Sequence, residues 1–172
     1  MNVVDSSVWL SYFAGDANAD KFSKPIENIQ TLIVPSIAIT EVFKCVLRQF
    51  GEDMALECIA HMEQGKVVSL DSSLAIDAAH YGVQYQLPLA DSIVYATAQK
   101  FNAIVWTQNC DFSSLYGVKY FPKIAAKGRK KGTQLFCMDY VLILYIPGWR
   151  NLGYLLTKYT AAPVLCEVFH RP

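Results

Sequence analysis

The sequence predicts an α/β domain: a mostly parallel sheet of four or five strands with helices on both faces, followed by an atypical C-terminal extension. Three observations predict it. Short apolar runs rich in Val and Ile alternate with longer stretches of helical periodicity, as expected of strands joined by helical crossovers. An apolar content of 53% over 172 residues can bury a sizeable core, and with only 17% charged residues the chain is not disordered throughout. The charge also divides. Residues 1–123 hold 8 Lys+Arg against 13 Asp+Glu and residues 124–172 hold 7 against 2, so a net charge of zero conceals an acidic front and a basic rear.

Asn2–Val4 reads as the first strand, and Ser6 or Ser7 can cap a helix running to about Phe13. Thr31–Val34 is a second strand, followed by Pro35 and a helix that opens near Ser36 and stops before Gly51. Ile37, Val42, Val46 and Leu47 are among its apolar positions. A further helix covers roughly Glu52–Gln64, and after Gly65 comes the strand Lys66–Leu70. Ser72–Tyr85 is helical, and Pro88 suits the first turn of a helix reaching about Phe101. Ala103–Trp106 is a fourth strand and Val118–Phe121 a candidate fifth. There is no internal repeat and no low-complexity tract.

The texture changes after Pro122, which sets the domain division at 1–123 and 124–172. K127-G-R-K-K-G132 is a basic, Gly-flanked linker. The apolar run L135-F-C-M-D-Y-V-L-I-L-Y-I146 is too short to span a membrane, and lengthening it takes in Pro147 and Arg150. It reads either as a strand or hairpin packed on the main domain or as an incidental extension. The five cysteines (Cys45, Cys58, Cys110, Cys137 and Cys166) are widely spaced, without a C-x-x-C pair. They suit the reduced thiols of a cytoplasmic protein better than a disulfide framework. MNVVDSSVWL has neither a basic leader nor a long apolar run, so no signal peptide is expected.

Functional groups in a parallel α/β sheet gather at the carboxyl ends of the strands. Asp5 closes the first strand, Asn109 and Asp111 follow the fourth, Glu41 lies one to two turns into the helix after the second, and Asp91 sits in the first turn of its own helix. Each has a plain structural alternative. Asp91 can serve the helix dipole, Asp5 can cap the next helix, Glu41 can face solvent or a partner, and Asp111 can be a turn acid. Their joint occurrence carries the weight. Two carboxylates about 4 Å apart repel by roughly 4 kcal/mol at an effective dielectric near 20, so such a cluster calls for a cation or a proton. An all-oxygen donor set favours Mg²⁺ or Mn²⁺ over zinc, and no His/Cys ligand spacing is present.

V3-V-D-S-S-V-W-L-S-Y-F13, V34-P-S-I-A-I-T-E-V-F-K44, L87-P-L-A-D-S-I-V-Y-A-T-A98 and W106-T-Q-N-C-D-F112 together resemble the PIN-domain ribonucleases, above all the VapC toxins of bacterial toxin–antitoxin pairs. The likeness covers about residues 1–123 in the family's order and spacing. It implies a three-layer α/β/α fold and a metal-dependent endoribonuclease. It also implies a homodimer neutralised by a cognate antitoxin. On this resemblance Asp5, Glu41 and Asp91 match the acids that hold Mg²⁺ or Mn²⁺, with Asp111 beside them. Many relatives carry Asp where this chain has Asn109, so the fourth position is softened. Thr107 and Ser7 match small hydroxyl positions near the site, and either can equally serve a cap or turn.

An acidic front half is unusual for an RNA binder, since phosphate contacts rest on Lys and Arg. Lys44 and Arg48, on the helix of Glu41, are the candidate phosphate contacts, the alternative being a solvated helix face. His61, His80 and His170 lie in separate segments and suggest no nucleophile–base pair. Trp9, Phe13, Phe43 and Tyr95 fall on apolar faces, as core or dimer surface. Two other functions compete with the nuclease. One is a catalytically silent module that binds an antitoxin or RNA, and the other is an acidic phosphohydrolase acting on small phosphate esters.

Overall fold

The computed structural model of the chain describes residues 1–124. Five strands form one parallel sheet in the order β3-β2-β1-β4-β5: β1 (Asn2–Val4), β2 (Leu32–Pro35), β3 (Lys66–Val68), β4 (Ile104–Thr107) and β5 (Val118–Tyr120). Six helices connect them: α1 (Ser6–Ala14), α2 (Ala19–Glu27), α3 (Ser36–Phe50), α4 (Glu52–Met62), α5 (Ser72–Tyr85) and α6 (Leu89–Lys100). A single 3-10 turn, Cys110–Phe112, lies between β4 and β5.

Side chains alternate across the pleat and divide the core into two layers. Val4, Leu32 and Val34 face one side, where Trp9 and Phe13 of α1, Phe22 and Ile26 of α2, Val42 of α3 and Met62 of α4 pack on them. Val3, Ile33 and Val105 face the other side, against Val94, Tyr95 and Ala98 of α6, with α5 covering α6 through Leu74 and Ala78. The result is an α/β/α sandwich. β2 is buried along its whole length, as the near-continuous apolar run of an inner parallel strand requires, whereas β3 and β5 are largely open edges.

The predicted elements are present within a few residues of their expected bounds, and the fifth strand is real. Two details differ. Pro88 caps α6 from outside rather than occupying its first turn. A further helix, α2, fills a stretch to which the sequence reading assigned no element, with Pro25 inside it and Ala19, Phe22 and Ile26 facing the core. The linker and the apolar run of the extension lie outside the described residues.

The strand order matters for function. β1 passes its crossovers to β2 on one side, while its other neighbour is β4, so the connections diverge between β1 and β4. The crevice at the carboxyl ends of two such strands is where open α/β sheets bind ligands. Val4 pairs with Trp106, and the Asp5 N–H donates to the Trp106 carbonyl at 3.0 Å, which sets Asp5 beside Thr107 at that crevice.

Candidate active site

Asp5 is the residue before α1, with the extended backbone of a helix cap, yet its side chain makes no capping hydrogen bond. Instead Asp5 Oδ2 accepts hydrogen bonds from Ser7 Oγ at 2.5 Å and Thr107 Oγ1 at 2.9 Å. Asp5 is 4% exposed and Thr107 fully buried, so the carboxylate is held by two hydroxyls on a single oxygen. Asp5 thus makes no side-chain cap bond, and the Ser7 and Thr107 hydroxyls both bond its carboxylate. All three belong to one arrangement.

The bonding continues along the loop after β4. The Gln108 N–H donates to Ser7 Oγ at 3.0 Å, and the Asn109 N–H donates to Thr107 Oγ1 at 2.9 Å. Asn109 then spans two acids. Its Nδ2 donates to Asp91 Oδ2 at 2.8 Å, and its Oδ1 accepts the Asp111 N–H at 3.1 Å, capping the 3-10 turn. A carboxylate at position 109 would have no proton for the first of these bonds.

Asp91 lies in the first turn of α6, where the helix dipole favours the charged form. Its carboxyl is nonetheless pushed up to about 7, first by burial, then by the negative charges of Asp5, Asp111 and Glu41, with the Asn109 amide opposing. Burial and neighbouring acids thus outweigh the dipole. Glu41, half-buried on α3, is also raised, by burial and by Asp5, with the Ser6 hydroxyl opposing. Acids from β1, α3, α6 and the β4–β5 connection therefore share one electrostatic neighbourhood.

Asp5, Ser7, Asp91, Thr107, Asn109 and Asp111 are joined by hydrogen bonds, while Glu41 joins them through charge. Lys44 and Arg48 stand outside, exposed on α3. Among the described residues the only salt bridge is Lys100–Asp71, so neither cation neutralises the acids. His61 stacks on Tyr12 away from the acids. Sequence reasoning missed the Gln108 main-chain donor and the Ser6 hydroxyl. A main-chain contact leaves no trace in residue type, but Ser6, beside Asp5 in D-S-S, was a readable signal.

In kind the donors fit a hard divalent cation, being all oxygen, with like charges that a cation would offset. In arrangement they are looser: among the described residues no three His, Cys, Asp or Glu side chains are gathered closely enough to hold one ion. The mutual charge effects and this looseness are compatible. Electrostatic coupling extends well beyond coordination distance, and Asp91 is turned onto an amide.

The acids line the crevice between β1 and β4 of an α/β/α domain. The profile of the PIN domain family matches residues 3–118, and the chain belongs to that family, whose members are typically nucleases. Its fold is similar to that of a toxin–antitoxin complex from Klebsiella pneumoniae, at 20% identity over 72% of this chain and 100% of the other, with a TM-score of 0.62. It is also similar to VapC20 of Mycobacterium tuberculosis, a toxin that cleaves the sarcin–ricin loop (18% identity, 69% and 97% covered, TM-score 0.59). A third likeness is to VapBC2 from Rickettsia felis bound to a promoter DNA fragment (10% identity, 70% and 97% covered, TM-score 0.56). The fold is that of VapC-like PIN proteins. No curated protein matches the chain significantly by sequence.

Proposed function

We propose that this chain is a Mg²⁺- or Mn²⁺-dependent endoribonuclease, the toxin of a toxin–antitoxin pair, acting in the cytoplasm as a homodimer restrained by a cognate antitoxin. The observation that carries the reading is the hydrogen-bonded run Asp5–Thr107–Asn109–Asp91, which ties the ends of β1, β4 and α6 together at the one crevice where the sheet's connections diverge. A structural role alone would not call for so many acids without a basic partner.

Asp5, Glu41 and Asp91 would hold the cation, with the Asn109 oxygen and Asp111 at its edge. When bound, a hard divalent ion supplies an activated water and stabilises the leaving oxygen of a phosphodiester. The chain's own residues do the positioning. Ser7 and Thr107 fix Asp5 by holding Oδ2, which leaves Oδ1 without a hydrogen-bond partner among the described residues. Asn109 fixes Asp91, and the main-chain bonds of Gln108 and Asn109 keep the loop against β1.

The Asn109 amide on Asp91 favours one second reading, a weakened or silent module that retains partner binding. Cleavage of RNA by the wild type and by Asp5→Asn, in Mn²⁺ and in EDTA, separates the two. The nuclease reading expects wild-type cleavage that EDTA and the substitution both abolish. Wild-type cleavage no better than that of Asp5→Asn overturns it in favour of the binding module.

A further inference from the structure

An acidic domain that binds a polyanion needs cations fixed near its site, and one edge of the sheet carries two. β5 is the outer strand beyond β4, and its register sets Lys119 beside Trp106, so the two side chains share a face of the sheet. Lys119 Nζ lies over the Trp106 ring, 4.4 Å from its centroid. Trp106 is itself held. Its Nε1 donates to Asn2 Oδ1 at 2.9 Å, and its ring stacks on Phe121 with centroids 5.7 Å apart and planes 6° from parallel. Lys21 of α2 places its Nζ 5.9 Å from the centroid of that Phe121 ring. Two lysines from separate elements therefore rest on one stacked pair of rings.

The support beneath them is anchored. Lys21 Nζ donates to Asn18 Oδ1 at 2.9 Å, and Asn18, itself buried, donates through Nδ2 to the Pro122 carbonyl at 3.0 Å, which ties the lysine to the segment after β5. Phe22, next to Lys21, meets the Phe121 ring edge-on with centroids 5.4 Å apart. Both lysines are exposed, and neither forms a salt bridge among the described residues. The rings are also joined to the crevice through the main chain. The Asp5 N–H donates to the Trp106 carbonyl at 3.0 Å and the Phe121 N–H to the Thr107 carbonyl at 2.9 Å, while Thr107 Oγ1 holds Asp5 Oδ2. Trp106 and Phe121 are thus bonded neighbours of the residues that position Asp5.

We propose that Lys21 and Lys119, seated on the Trp106–Phe121 pair, grip the phosphate backbone of single-stranded RNA where it passes from the acidic crevice along the β5 edge. The proposal rests on the ribonuclease reading above. A ring beneath an ammonium attracts it and restricts a long, flexible side chain, so less freedom is lost when an anion arrives. Each head keeps donors free, since an ammonium has three and Lys21 uses one on Asn18. Two cations fixed on neighbouring rings match a repeating anion better than a single one. The grip also explains how a domain with an acidic surplus can hold its substrate, because the attraction is placed beside the acids and not among them.

The test uses the full-length chain carrying Asp5→Asn, so that RNA is bound and not cut. The probe is a fluorescent single-stranded RNA titrated at several salt concentrations. Each phosphate contact to a single strand contributes about 0.7 to the slope of log K against log salt, so Lys21→Gln and Lys119→Gln should each flatten it by about 0.7 and the pair by about 1.4. Lys66 is the matched control, an exposed lysine 4.4 Å from the Phe101 ring centroid at the opposite edge of the sheet, and Lys66→Gln should leave the slope unchanged. Circular dichroism checks that the exposed substitutions leave the fold intact. A second measurement keeps the lysines in place: bound RNA should shield Lys21 and Lys119 from acetylation, read by mass spectrometry, and leave Lys66 reactive. An unchanged slope in the double variant overturns the grip, as does equal flattening by Lys66→Gln or RNA binding that leaves Lys21 and Lys119 open to acetylation. Absence of RNA binding by every form at low salt overturns the ribonuclease reading along with the grip, an outcome distinct from the others.

Discussion

Replacing Asp91 with Asn separates the energetic cost of assembling the acids from their chemistry. In the folded chain the Asp91 carboxyl titrates at about 7, against an ordinary 3.8. Between those values the folded protein keeps a proton that the unfolded chain has released, so stability falls as pH rises through that window and is lowest above it. At ~1.4 kcal/mol per unit, a fully desolvated group shifted this far would cost about 4 kcal/mol. Asp91 is only half-buried, and screening by water brings the expected cost to about 1–2 kcal/mol. The opposing effect is the dipole of α6, which favours a first-turn carboxylate by about 0.3–1 kcal/mol and is the smaller of the two. The introduced amide retains an oxygen to accept the 2.8 Å bond from Asn109 Nδ2.

Urea unfolding in EDTA at pH 8 should therefore find Asp91→Asn more stable than wild type by about 1–2 kcal/mol, and on the proposed function the variant should not cleave RNA. The advantage should shrink steadily as pH is lowered toward 4, where both side chains are neutral in the folded state. Adding Mn²⁺ should stabilise the wild type more than the variant, because a ligand that binds only the folded form raises its stability by mass action. A variant less stable than wild type at pH 8, or a difference independent of pH, would refute the reasoning.

Two further substitutions probe the same loop. Asn109→Asp places a second carboxylate against Asp91. It should lower stability in EDTA at pH 8 yet tighten Mn²⁺ binding by calorimetry and raise cleavage; unchanged Mn²⁺ affinity would mean that Asp111 or water already supplies the missing charge. Thr107→Val keeps the volume but removes the hydroxyl that serves Asp5 and the Asn109 N–H, and should cost about 1–3 kcal/mol in urea unfolding, whereas a loss under 0.5 kcal/mol (roughly the range of a surface change) would remove Thr107 from the site's support.

The sheet and most helices were legible because their signals are local. β2 declares itself by an apolar run ended by Pro35, and α3 by its apolar positions and the stop at Gly51. α2 was missed because Pro25 and the polar residues around it weigh against a helix locally. Its apolar contacts, Phe22 and Ile26 on the sheet, supply tertiary stabilisation that local preference does not register. The acids could be picked out by position relative to strand ends, but not their bonding. That Ser7 and Thr107 converge on one oxygen of Asp5 depends on the register of Val4 against Trp106, which pairs residues distant in sequence.

Asn109 is better understood as a change in how the site balances charge than as a lost ligand. Asp91 already feels three other acids, and the Asn109 amide joins the α6 dipole in favouring its ionised form. A carboxylate in that place would add a fourth repulsion and remove the donor, leaving the cluster dependent on a cation for relief. With the amide, the acid cluster needs less positive charge to remain ionised, and the same feature leaves less negative charge to attract the cation. The site should therefore bind its ion more weakly than an all-carboxylate counterpart while tolerating the ion's departure better.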